Sequence, residues 1–261
     1  MCVSTLCYIK HATKTNKNIL MKTVLITGAN KGIGLETAKQ MAQSGYFVYL
    51  GSRDKVKGAD ALKKLNELGI SNVESIEIDV TNINSIKQAK RELETKIEAL
   101  DILINNAGIA GEQPQTPSLI EIENLREIFE TNFFGVLQTT QQFIPLLKKS
   151  KEPQIINVSS SLGSLTLHSS PESNPASWGA YDAYGCSKTA LNAFTVMLAY
   201  EFKGTNFKIN SIAPGYTATD LNQNKGTQTV EHAARIIVKY ATLTNDGVTG
   251  KYFRETGEIP W

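Results

Sequence analysis

Two residues with acid–base potential stand one helical turn apart in the run Tyr184-Gly185-Cys186-Ser187-Lys188. A free phenol, with a pKa of about 10, is a poor proton donor near neutrality. A lysine ammonium one turn away favours the phenolate and lowers that value, so this spacing can build a usable acid. A ketone oxygen that becomes an alkoxide needs such an acid nearby. A second feature is the glycine-rich turn Thr27-Gly28-Ala29-Asn30-Lys31-Gly32-Ile33-Gly34. Glycines let the backbone turn sharply and approach a pyrophosphate, and a helix opening there offers free N–H groups and a partial positive charge.

These groups need a frame. From Lys22 onward, short apolar runs alternate with segments of helical period. The runs cover residues 23–27, 46–51, 73–78, 100–105, 154–159 and 207–213, with a weaker one near 250–254. They are too continuously apolar for one-sided surface strands and fit strands buried on both faces of a parallel sheet. Between them, Val56, Ala59, Leu62 and Leu65 share a helical face, as do Ile83, Ile86, Leu93 and Ile97, and Val230, Ala233, Ala234, Ile237, Val238 and Ala241. The segment after Tyr184 carries Ala190, Leu191, Phe194, Met197 and Leu198 as an expected core-facing stripe. The alternation predicts a single-domain, doubly wound (Rossmann) α/β fold, a parallel sheet of about seven strands with helices on both faces. Ligands bind such sheets beyond the carboxyl ends of the strands, where the glycine turn lies.

Composition narrows the partners. With 261 residues, one domain with a substantial core suffices. A net charge of +2 offers no broad surface for nucleic acid or membrane, so any cationic site must be local. Cys2, Cys7 and Cys186 form neither a disulfide framework nor a zinc pattern, and His11, His168 and His232 match no metal-ligand spacing. The expectation is therefore no metal and a reducing, cytoplasmic compartment. Residues 1–20 contain no acidic residue and no apolar stretch of signal length; they read as a disordered extension ahead of one domain spanning 21–261.

Taken in order, the TGxxxGxG turn from Thr27 to Gly34, Asn105-Asn106-Ala107-Gly108 after the fourth run, and the Tyr184–Lys188 pair resemble the short-chain dehydrogenase/reductase family from Lys22 to Trp261. The ending Gly250-Lys251-Tyr252-Phe253 with Ile259-Pro260-Trp261 resembles its carbonyl reductase-like branch. The resemblance implies an oxidoreductase that reduces a ketone, aldehyde or quinone to an alcohol by hydride transfer from a nicotinamide cofactor. Tyr184 would donate the proton, with Lys188 beside it. Ser160, the middle of three serines and favoured by its offset to Gly163, would bond the substrate carbonyl. Asn132 would hold a water in the proton relay. Gly28, Asn30, Lys31, Gly32, Ile33 and Gly34 would cradle the pyrophosphate. Asp79 and Val80 would lie at the adenine, although Asp79 could instead cap the helix ahead of Ile83. Asn106, Ala107 and Gly108 would run along the cofactor, with Tyr184 and Lys188. Pro214 and Gly215 would flank the nicotinamide, and Thr217 and Thr219 would reach its carboxamide and the phosphates.

Relatives that prefer NAD carry a carboxylate at the end of the second strand; here Ser52 and Arg53 stand there. A guanidinium fits a 2′-phosphate, and Lys31 adds a second cation, so NADPH/NADP is the expected cofactor. Asp54 reads as a helix cap. Two alternatives stay open: Tyr181, seven residues before Lys188, has the spacing of the family's enoyl reductases, and the chain could be a non-catalytic NADP-binding sensor. The stretch between Ser160 and Tyr184 is longer than in most relatives. It implies a monomer, in which the insertion folds over the helices carrying Asn132 and Tyr184 and buries Leu165, Leu167 and Trp178; a dimer is the alternative. His168 and Trp178 are candidate pocket residues.

Overall fold

The computed structural model describes residues 21–170, 181–243 and 247–261. The extension at 1–20 and Trp178 lie outside the described residues. The seven predicted runs become β1 (Thr23–Ile26), β2 (Phe47–Ser52), β3 (Val73–Glu77), β4 (Ile102–Asn105), β5 (Gln154–Val158), β6 (Lys208–Ile212) and β7 (Lys251–Arg254). A short β8 (Gly257–Glu258), which the sequence reading missed, returns antiparallel along β7. The order in the sheet is β3-β2-β1-β4-β5-β6-β7-β8, with every pair from β3 to β7 parallel. The order reverses between β1 and β4, which opens a crevice beyond their carboxyl ends.

Side chains alternate along each strand and so build two cores. Val24 and Ile26 of β1 face one side, with Met41 of α1 (Gly32–Gln43), Leu65 of α2 (Lys55–Glu67) and Ile237 of α8 (Val230–Ala241). Leu25 faces the other, with Leu93 of α3 (Ile83–Glu94), Phe143 of α5 (Gly135–Leu147) and Leu198 of α7 (Asp182–Glu201). Two buried asparagines in neighbouring strands join in a chain of side-chain hydrogen bonds. Asn105 Nδ2 donates to Asn157 Oδ1 at 2.9 Å, and Asn157 Nδ2 donates to Thr195 Oγ1 at 2.8 Å, tying the sheet centre to α7.

Three helix-face expectations need correction. In α2 the buried residues are Gly58, Ala61 and Leu65, while Val56 and Ala59 are exposed. A Cβ on Gly58 would lie 2.4 Å from Ser75 Oγ, so close approach to β3 turns that residue inward. In α7 the inward face runs through Leu191, Thr195, Leu198 and Ala199; Met197 points to solvent at 67% exposure. The insertion opens with α6 (Leu165–Ser169), and Leu165 is 65% exposed rather than buried. The Thr166 N–H donates to the Trp261 carbonyl, so this turn leans on the C-terminal tail, and Met197 and Tyr200 of α7 stay exposed.

Candidate active site

A cleft of about 1090 Å³ lies beyond the carboxyl ends of β1 and β4, large enough for a dinucleotide together with a small substrate. Every residue predicted to bind cofactor lines it except Ser52. Ser52 is buried, and its hydroxyl donates to the Asp54 carbonyl at 2.8 Å; it shapes the turn instead of facing the cleft. Asp54 caps α2 by accepting from the Val56 and Lys57 N–H groups, and these bonds hold its carboxyl below the ordinary carboxylate range.

The glycine turn is held from below. Thr27 Oγ1 accepts from the N–H groups of Asn106 and Ala107, both at 3.0 Å. Asn106 Nδ2 donates back to the Thr27 and Gly28 carbonyls. Gly28 and Gly32 have φ of +63° and +57°, the left-handed region that favours glycine. Gly34 has a steric reason: a Cβ there would stand 2.5 Å from the Gly28 carbonyl oxygen and from Asn106 Nδ2. The α1 N-terminus has no side-chain cap, so its first N–H groups remain for an anion. Arg53, exposed on the lining, has no ion-pair partner among the described residues. Lys31 does: its Nζ lies 2.6 Å from Asp220, across the cleft from the loop after β6. These features fit a nicotinamide dinucleotide.

At the end of β3, Asp79 accepts from the Thr81 N–H and hydroxyl, while Asn82 caps α3. The alternative of Asp79 as the helix cap is thereby removed. Gly215 and Thr217 lie on the opposite wall, where Thr217 Oγ1 donates to the Gly215 carbonyl at 3.2 Å.

At the inner end, α7 brings Tyr184 and Lys188 to one wall, with Lys188 Nζ 5.4 Å from the centre of the Tyr184 ring. Lys188 is 4% exposed and donates to the Val158 carbonyl at 2.9 Å; burial pulls its ammonium down to about 8. Burial pushes the Tyr184 phenol above its ordinary value, and buried Tyr252 adds to this, while a side-chain hydrogen bond with Ser160 opposes it. All three serines border the cleft, and Ser160 is the one whose side chain acts on the Tyr184 phenol, which favours it among the three. Tyr181 lines the same wall; His168 does not line the cleft.

Asn132 lies fully buried in a π-helical turn, Glu130–Phe134, between α4 (Ile122–Phe129) and α5. Its side chain clamps Ile109, accepting from the N–H and donating to the carbonyl, each at 2.9 Å, and donates to Ser187 Oγ at 3.0 Å. Two further residues escaped the sequence reading. Gln115 is buried against the first turn of α7, and the fully buried Tyr252 donates its hydroxyl to the Ser160 carbonyl while stacking on Trp261. Only the branch-like ending hinted at Tyr252; no local signal marked Gln115.

A family model described as short chain dehydrogenase matches residues 22–230. The chain is 32% identical to a (+)-neomenthol dehydrogenase of Capsicum annuum, over 91% of this chain and 96% of that one. Its fold superposes on salutaridine reductase of Papaver somniferum with a TM-score of 0.78 at 31% identity, covering 90% of this chain and 99% of that one. For an NADPH-bound carbonyl reductase from chicken fatty liver the TM-score is 0.79 at 26% identity, covering 92% and 99%. The match runs from β1 into α8 and takes in the glycine turn and the tyrosine–lysine helix alike, so the protein is an oxidoreductase of the short-chain dehydrogenase/reductase family.

Proposed function

We propose that the protein reduces the carbonyl group of a small, largely apolar molecule to an alcohol, with NADPH as cofactor and Tyr184 as proton donor. The carrying observation is that Ser160, Tyr184 and Lys188 share the lining of one cleft with the glycine turn and Arg53. Bound NADPH would supply the hydride to the carbonyl carbon. This chain's residues do the rest: the Ser160 hydroxyl orients the carbonyl oxygen, the Tyr184 phenol gives that oxygen its proton, and the Lys188 cation favours the phenolate left behind. Lys188 is protonated at neutral pH and loses its charge above about 8, which places an alkaline limit on this assistance. Asn132, through its three side-chain bonds, fixes Ile109 and Ser187 around the site. Leu162, Tyr181, Tyr216 and Leu221 contribute apolar surface to the lining, which suits a hydrophobic ketone or quinone. The names of the relatives, a neomenthol dehydrogenase and a salutaridine reductase, support the same substrate class.

A second reading, enoyl reduction through Tyr181, draws on that residue's place on the same wall. The influence of Ser160 on the Tyr184 phenol favours Tyr184. Loss of NADPH absorbance against a panel of a monoterpene ketone, an aromatic aldehyde, a quinone and an enone decides between them. Alcohol products support carbonyl reduction. Saturated ketone from the enone alone supports the second reading, and NADPH consumption with none of the four counts against both.

A further inference from the structure

Gln115 lies in the loop between β4 and α4 and is 1% exposed, so both halves of its amide must find partners inside the protein. Its Nε2 donates to the Ala110 carbonyl at 2.6 Å, and its Oε1 accepts from the Tyr184 backbone N–H at 3.0 Å. The chemistry of the partners fixes the amide's orientation, since a carbonyl must meet the NH₂ and an N–H must meet the oxygen. The Tyr184 N–H belongs to the first turn of α7, where helical N–H groups have no partner within the helix. The N-cap residue, Tyr181, provides no side-chain cap. Gln115 therefore caps the helix from a distant segment, at the residue whose phenol borders the cleft.

A second route joins the same two places. Ser187 Oγ donates to the Tyr184 carbonyl at 2.7 Å, Asn132 Nδ2 donates to Ser187 Oγ, and Asn132 also clamps Ile109, the neighbour of Ala110. Tyr184 is thus tied to the cleft-lining 109–110 backbone through its N–H by Gln115 and through its carbonyl by Ser187 and Asn132. Without Gln115 the first turn of α7 loses one of these ties, and a buried N–H and a buried carbonyl are left unpaired.

We propose that Gln115 is a positioning residue for Tyr184: it sets the height of the phenol over the cleft through the backbone amide and touches neither substrate nor cofactor. This rests on the reading of Tyr184 as proton donor. The test uses the full chain, with NADPH and whichever of menthone, benzaldehyde and a benzoquinone turns over fastest. Gln115→Met keeps the volume and removes both bonds. It should lower kcat about tenfold or more, the scale of a sub-ångström to ångström misplacement, with NADPH Kd by calorimetry changed by less than about twofold. Unchanged kcat in Gln115→Met overturns the proposal, as does a parallel loss of NADPH affinity. If Gln115→Met does not fold, Gln115→Asn takes its place: it is one methylene too short to reach both partners and should show the same fall in kcat at constant NADPH Kd, normal turnover overturning the proposal. Tyr184→Phe is measured alongside. If Tyr184→Phe retains turnover, the proton-donor reading is what fails; if it is inactive while Gln115→Met is normal, only the positioning role fails.

Discussion

Arg53→Ala should weaken NADPH binding and leave NADH binding nearly unchanged. The structure separates the two cations expected to meet a 2′-phosphate. Lys31 is engaged, 2.6 Å from Asp220, whereas Arg53 stands on the cleft lining with no ion-pair partner among the described residues. Charge-assisted hydrogen bonds contribute about 1.5–3 kcal/mol, and screening at an exposed guanidinium reduces this to about 1–2 kcal/mol. At 1.4 kcal/mol per factor of ten, Arg53→Ala should raise the NADPH Kd roughly five- to thirtyfold. The assay is calorimetric titration of both cofactors into both proteins at low salt, repeated at high salt, where the NADPH advantage should shrink. Equal affinity of the unmodified protein for NADPH and NADH would refute the reasoning. A loss for NADH as large as for NADPH would show that Arg53 supports the loop instead of reading the phosphate.

Three more outcomes follow from the same geometry. Asp220→Asn should release Lys31 toward the cleft and tighten NADPH slightly with NADH unchanged; weaker NADPH binding in a titration would show the ion pair to be a needed strap. Gly34→Ala places a Cβ 2.5 Å from the Gly28 carbonyl oxygen, and such overpacking costs about 1–3 kcal/mol, seen as a lower melting temperature and weaker NADPH binding; an unaltered melt would mean the turn can yield. Burial lowers the Lys188 ammonium from 10.5 to about 8, so the unfolded chain holds that proton more tightly and the group's destabilising effect, full below pH 8, is relieved as pH rises to 10.5. The melting temperature of Lys188→Met minus that of the parent should therefore fall between pH 8 and 10, and a difference independent of pH would contradict a desolvated lysine.

What the sequence disclosed and what it hid divide along range in the chain. The glycine turn and the Tyr184–Lys188 spacing are legible because their geometry is local: a strand end, a turn, one helical repeat. The parallel sheet is legible because strands buried on both faces read as continuous apolar runs. Gln115 was not legible, since its two bonds reach 5 residues back and 69 forward, and no local pattern marks a glutamine as buried. Tyr252 is similar, donating to Ser160 from 92 residues away. Ser52 misled because its position at a strand end matches a cofactor contact, whereas its hydroxyl is taken by the turn it opens. The α2 face misled because an apolar side chain, Val56, outweighed Gly58 by residue type, while close packing on Ser75 favours the residue with no side chain.

The central claim, that Tyr184 delivers the proton in a carbonyl reduction, is tested most directly by single-turnover NADPH oxidation in Tyr184→Phe and Tyr181→Phe against the unmodified protein, each with cofactor Kd measured in parallel. Removal of one phenol from the site should cost Tyr184→Phe about 10²–10⁴ in rate, the usual contribution of a positioned general acid, with NADPH Kd nearly unchanged and Tyr181→Phe only mildly impaired. Full activity in Tyr184→Phe, or a larger loss in Tyr181→Phe, would contradict the account.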